Sequence, residues 1–248
     1  MKFSSHTHTL TVLVLASAVI PLAATADILE IGTTVDDYIR SGSNADNAQN
    51  STNLILVGDT ATAGDELRGM LTFDLSSYTE LVGATINSAT LTFTINDSDE
   101  TGAGKSANET ITLNLFQTNT SFTESATWNS PWTTAGGDLD NLIASTTGNP
   151  GSDAQGTNLD FSGSNLDTAI ANTIGGSISF ILAIDPSEVD GTRSIFRLTS
   201  NEPVIGGGVT ADFSPVLSID YTAVPEPSIF ALLTGLAGLS LAVVRRRK

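Results

Sequence analysis

Residues 89–95, Ala89-Thr90-Leu91-Thr92-Phe93-Thr94-Ile95, alternate without a break: Ala89, Leu91, Phe93 and Ile95 fall on one side, Thr90, Thr92 and Thr94 on the other. A backbone with a period of two separates these sets, so the segment reads as a strand with one buried face and one wetted or hydrogen-bonded face. The branched Cβ of threonine favours that backbone over a helix. Ile111, Leu113 and Leu115 repeat the pattern, as do Ile178, Phe180, Leu182 and Ile184, and again Leu217, Ile219 and Tyr221. In residues 67–75 the inward set is Leu67, Gly69, Leu71 and Phe73, and the outward set is Arg68, Met70, Thr72 and Asp74.

Working outward, shorter apolar strands are expected at 28–31, 35–39, 54–57 and 195–199, and polar loops at 41–52 and 96–109. Residues 118–161 read as mostly irregular, a length that needs its own packed side chains or a function, with Trp128 and Trp132 as its anchors. Leu166, Ile170 and Ile174 recur every four residues and mark one short helix, capped at Ser164 or Asn165 and stopped by Gly175-Gly176. No internal repeat is visible. The fold expected is all-β: an antiparallel jelly-roll-like β-sandwich with one short helix.

Both ends have a different composition. Lys2, the apolar stretch 10–22 and the small-x-small triplet Ala24-Thr25-Ala26 form a secretory signal helix over 1–26, with the mature chain beginning at Asp27. Its partners are the Sec translocon and signal peptidase. At the other end Pro225-Glu226-Pro227 forms a stiff, extended turn, since each proline fixes φ and biases its predecessor away from helix. An uncharged apolar run follows over 229–244, and Arg245, Arg246, Arg247 and Lys248 close the chain. The run is a little short of the about 20 residues of a full span. Snorkelling of the terminal bases makes up length and holds them on the cytoplasmic side. A single membrane helix is therefore expected in 224–248, leaving 27–223 as one body domain.

That tail resembles the PEP-CTERM sorting signal, in motif, apolar helix and basic end, over 224–248. The resemblance implies processing near the motif by exosortase, a membrane protease of Gram-negative bacteria. The protein would be tethered transiently to the inner membrane, then passed to the cell surface or an exopolysaccharide-containing extracellular matrix.

Composition narrows the chemistry. The only histidines, His6 and His8, lie in the leader, and cysteine is absent. The body therefore has no imidazole or thiol for Ser-His-Asp or Cys-His catalysis, for an ordinary zinc site or for disulfides. All but one of the chain's 27 acidic residues fall in 27–223, against only Arg40, Arg68, Lys105, Arg193 and Arg197. Such a body repels nucleic acid and anionic lipid, and its charge keeps an exported protein dispersed.

The body also resembles the DNRLRE-domain family and related carbohydrate-binding β-sandwich modules. The matching pieces, in order, are Val35-Asp36-Asp37-Tyr38-Ile39, residues 54–58, Arg68 with Leu71-Thr72-Phe73-Asp74-Leu75, and Ile86-Asn87-Ser88-Ala89-Thr90-Leu91. Phe122-Thr123-Glu124 with Thr127-Trp128-Asn129, then residues 196–202 and 215–221, complete them. Phe122 stands where the family usually has Trp. The resemblance implies a jelly-roll module of secreted surface proteins and polysaccharide-active enzymes.

Four side chains are candidate glycan contacts. Trp128 suits either stacking on a sugar or the core. Trp132 follows a proline in a Gly-rich loop and is expected to be exposed, and Tyr38 is similar. Arg68, mid-strand among apolar residues, is expected to pair with Asp36 or Asp37, or else to meet an acidic sugar. Asp97, Asp99 and Glu100 alternate as carboxylates in calcium loops do, without the Gly and distant Glu of an EF-hand, and Asp185, Glu188 and Asp190 form a looser group. Calcium is the one candidate cofactor. Paired carboxylates can hydrolyse glycosides without histidine, but no spacing singles out a pair. The expected function is that of an exported, non-catalytic surface or matrix protein associated with exopolysaccharide. The alternatives are a glycan-binding module using exposed aromatics and loops, and a carboxylate-dependent glycosidase or lyase.

Overall fold

A computed structural model describes residues 25–50, 54–62, 64–96, 108–201, 215–224 and 235–236. The signal segment through Ala24, the motif Pro225-Glu226-Pro227 and the bases 245–248 lie outside the described residues, as do Asp97, Asp99 and Glu100. Residues 25–224 form one compact unit.

Its strands are β1 (Ala26–Gly32), β2 (Val35–Arg40), β3 (Leu54–Asp59), β4 (Glu66–Asp74), β5 (Thr85–Thr94), β6 (Ile111–Thr118), β7 (Asn141–Gly148), β8 (Asn158–Ser162), β9 (Ser177–Ile184), β10 (Ser194–Thr199) and β11 (Val216–Thr222). One helix, α1 (Ser164–Thr173), precedes β9. Every pairing is antiparallel. A four-stranded sheet runs β1-β11-β5-β8, and a seven-stranded sheet runs β10-β3-β4-β9-β6-β7 with β2 also on β4. Strand β4 is the branch point. Residues 69–72 pair with β9 and with β2, which therefore lie on its opposite sides, while β3 joins only at Glu66 and Leu67.

The alternating residues meet between the sheets. Leu91, Phe93, Leu217 and Ile219 of the small sheet pack in one cluster with Leu71, Phe73, Leu113, Leu115, Phe180 and Leu182 of the large one. Edge-to-face rings reinforce the contact, Phe73 on Phe180 at 6.2 Å and Phe93 on Phe161 at 5.6 Å. Leu166, Ala169 and Ile170 turn one face of α1 into the same cluster, against β5, β7 and β9. The bridge Ile95–Leu198 joins the end of β5 to β10. The all-β sandwich with one short helix is thus the observed architecture.

Three details depart from expectation. Residues 118–161 contain β7 and β8, so the irregular parts are 119–140 and 149–157. Strand β8 was hidden because it is short and turns only Leu159 and Phe161 inward. The helix is capped at Gly163, at φ +135°, and not by Ser164 or Asn165. The first-turn carboxylate of Asp167 instead accepts the backbone N–H of Ala89 at 2.7 Å, tying α1 to β5. Met70, assigned to a polar face, is fully buried, because the large sheet is covered on its outer side as well.

Candidate functional site

The outward residues of three adjacent strands, Ile39 of β2, Met70 of β4 and Ile181 of β9, form an apolar strip on the face away from the main core. Water is excluded from it by residues 119–140, which fold back over the sheet and insert Phe122, Ala126 and Trp132. Phe122 and Trp132 meet at 5.2 Å with their planes tilted by 54°. The Trp132 indole Nε1 donates to the carbonyl of Thr127 at 2.7 Å, so its polar edge is satisfied inside the loop.

Asp138 gathers this loop. Its Oδ2 accepts from the hydroxyls of Thr120 at 2.5 Å and Thr133 at 2.9 Å and from the Thr133 N–H at 3.2 Å, while Oδ1 accepts from the Thr134 N–H at 2.8 Å. The Thr120 hydroxyl first, then the Thr134 and Thr133 donors, outweigh desolvation and hold the carboxyl at about 2.

Arg68 clamps the loop from the sheet side. Its Nε and Nη2 grip both carboxylate oxygens of Glu66 at 2.7 and 2.8 Å, and Nη1 donates to the Gly136 carbonyl at 2.8 Å. The guanidinium lies 4.7 Å from the ring centroid of Trp128. Gly136, at φ +94°, passes so close that a Cβ there would sit 2.7 Å from Trp128 and 2.8 Å from Arg68. Asn129 then ties the loop to Asp46 at 2.8 Å.

The structure therefore brings together three of the four candidate glycan contacts, Arg68, Trp128 and Trp132, but in packing roles. Trp132 is buried, contrary to the expected exposure: with the strip of Ile39, Met70 and Ile181 below it, the indole is the largest apolar cover available. Trp128 is half-buried with Arg68 over its ring. Tyr38 is half-buried in β2, and burial, with Asp37 beside it, pushes its hydroxyl pKa up. Arg68 pairs with Glu66 and not with Asp36 or Asp37. The register explains why: Ile39 stands opposite Arg68, whereas Asp36 and Asp37 stand opposite Leu71 and Met70. Asp36 instead accepts from the Thr33 hydroxyl and the Asn201 N–H.

The carboxylates of the second acidic group are each taken up by separate protein donors. Asp185 accepts from Ser187, Glu188 from the Thr112 N–H, and Asp190 from the Thr192 N–H. Among the described residues no three His, Cys, Asp or Glu side chains converge as metal ligands.

Beside the covered strip, the outer face of the large sheet stays open where β6 ends and β9 begins. A groove of about 660 Å³ lies there, floored by Thr72 and Ser179, whose hydroxyls hydrogen-bond at 2.9 Å. Sequence reasoning missed this groove and the Asp138 anchor, because their residues come from distant segments without a local pattern. No protein-family model matches the chain, and no curated protein matches it significantly.

Proposed function

We propose that this chain is an exported, non-catalytic surface or matrix protein of a Gram-negative bacterium, released from the inner membrane by exosortase-type processing of its tail. The body is a jelly-roll-like, DNRLRE-type sandwich. The observation that carries this proposal is the ordered tail: Pro225-Glu226-Pro227, an uncharged apolar run, then Arg245, Arg246, Arg247 and Lys248, opposite a cleavable leader ending at Ala24-Thr25-Ala26.

Two features of the body support it. First, Ala26 of β1 is the register partner of Thr222 of β11, so both processed ends leave the sandwich at one rung. Cleavage at either end leaves the core between the sheets intact. Second, the body has no thiol or imidazole, and its conspicuous charged side chains, Arg68, Glu66 and Asp138, bind one another or the covering loop. These are the economies of a protein that must persist outside the cell without disulfides.

The test is a substitution of Pro225, Glu226 and Pro227 by Ala in the producing cell. The variant should accumulate in the inner membrane with its tail attached, while the parent protein appears on the surface or in the matrix. Equal release of both forms would remove the sorting role of the motif.

A further inference from the structure

We infer that β7, the outermost strand at one end of the large sheet, is an association edge, where two copies of this chain join their large sheets by antiparallel pairing of β7 with β7. The interface is independent of the proposed export, since the processed ends belong to β1 and β11 of the other sheet.

Five strands have a single strand as ladder partner: β1, β2, β7, β8 and β10. The unpaired side of such a strand is a row of N–H and C=O groups that templates a further strand, and charged side chains are a common protection. Four of the five are charged. Strand β1 has Asp27 and Glu30, β2 has Asp36, Asp37 and Arg40, β8 has Asp160, and β10 has Arg197. Strand β7, Asn141-Leu142-Ile143-Ala144-Ser145-Thr146-Thr147-Gly148, has neither charge nor proline. Its neighbours in the sheet, β6 and then β9, are uncharged as well. In a chain of formal charge −17, this end of the sheet is where two like-charged copies approach with least repulsion.

The side chains of β7 select its own copy as the occupant. No charge along the edge recruits a foreign strand, whereas the sequence is self-complementary. Ile143 has no partner in the register with β6, which leaves residues 144–148 as the regular half. Antiparallel pairing centred on Thr146 sets Thr146 against itself, Ser145 against Thr147 and Ala144 against Gly148. Every side chain in that register is small. Ser145 and Thr147, both exposed, bring hydroxyls together across the seam, a favourable cross-strand pair. The same register keeps the nearest flanking acid away from its copy: Asp140 precedes β7 by one residue, so its two copies lie about 40 Å apart along the strands. A two-fold axis uses the edge once in each copy, so association closes at the dimer.

The chain has no cysteine, so one introduced thiol reports on the seam without background. The experiment is oxidative crosslinking of purified full-length Thr146→Cys in mild detergent. Ile28→Cys, at an exposed position on the edge strand β1, controls for collision within a micelle. Directly opposed residues of an antiparallel pair have Cα atoms about 5 Å apart, within disulfide range. Thr146→Cys should form a covalent dimer at least about tenfold faster than the control, from the raised local concentration of its thiols. Adding Thr147→Asp should slow that crosslinking about tenfold at an unchanged melting temperature, because two carboxylates then face each other diagonally across the seam. Mixing the Thr147→Asp and Thr147→Lys forms of Thr146→Cys should restore the rate, as a heterodimer with opposite charges at the seam. Sedimentation gives the same reading without cysteine: the parent chain should show a dimer that Thr147→Asp shifts to monomer. Crosslinking no faster than in Ile28→Cys, crosslinking undiminished by Thr147→Asp, or a parent chain that stays monomeric would each overturn the inference.

Discussion

At the scale of single residues, function in this body is outweighed by fixation. Gly58 shows the tightest case. It sits at φ +144° where β3 passes β10, and a Cβ there would lie 1.7 Å from the carbonyl oxygen of Ser194, a backbone atom that cannot step aside. Gly58→Ala should lower the unfolding free energy by about 3 kcal/mol or more, measured by urea denaturation. Arg68 is the second case. Its partner Glu66 is nearly buried, so removing the guanidinium strands a carboxylate and uncovers Trp128. Arg68→Ala should cost about 3 kcal/mol, with Arg68→Lys intermediate, because lysine keeps the charge and loses the two-pronged grip. A stable Arg68→Ala that had lost binding to an acidic polymer would assign Arg68 to a ligand instead.

Asp138 makes the residue scale dependent on pH. Its pKa in the folded protein is about 2, below its ordinary value of 3.8. The stabilisation it gives is complete above its unfolded value and fades as pH falls from there towards 2. The only two tryptophans of the chain, Trp128 and Trp132, both lie in the loop that Asp138 holds. Their emission should therefore shift to the red as the solution is acidified through that window. In Asp138→Asn the shift should already be present in part at neutral pH, and its acid transition should be smaller.

At the scale of elements, what the sequence revealed follows from how many residues each strand buries. Strand β5 turns Ala89, Leu91 and Phe93 into the main core, and its alternation was plain. Strand β7 buries only Ile143 and Ala144, adjacent residues that give no alternation, so it was indistinguishable from loop. Met70 was misplaced because periodicity assigns a residue to a face but does not say whether that face is covered. The cover, residues 119–140, has no periodicity of its own. Its tryptophans announced an anchor, but which indole would be buried depended on the strip beneath it. The groove was illegible for the same reason, since its walls come from β4, β6, α1 and β9 and meet only after folding.

At the scale of the whole molecule, the two sheets close on one core, and the ends of the body are neighbours in the small sheet. Ala26 pairs with Thr222 at the terminal rung, and the main contacts of β1 with β11 lie beyond it, from Asp27–Tyr221 to Gly32–Val216. A chain trimmed to residues 27–223 should therefore fold alone and melt cooperatively as a single unit. Loss of the transition on trimming would mean that the ends contribute to the core.

The most direct measurement is the intact mass of the protein isolated from the surface or matrix fraction of its producing cells. The mass expected is that of a chain starting at Asp27 and ending close to Pro225-Glu226-Pro227, without the apolar run and its terminal bases. A full-length chain, recovered from the cytosol with leader and tail both present, would contradict it.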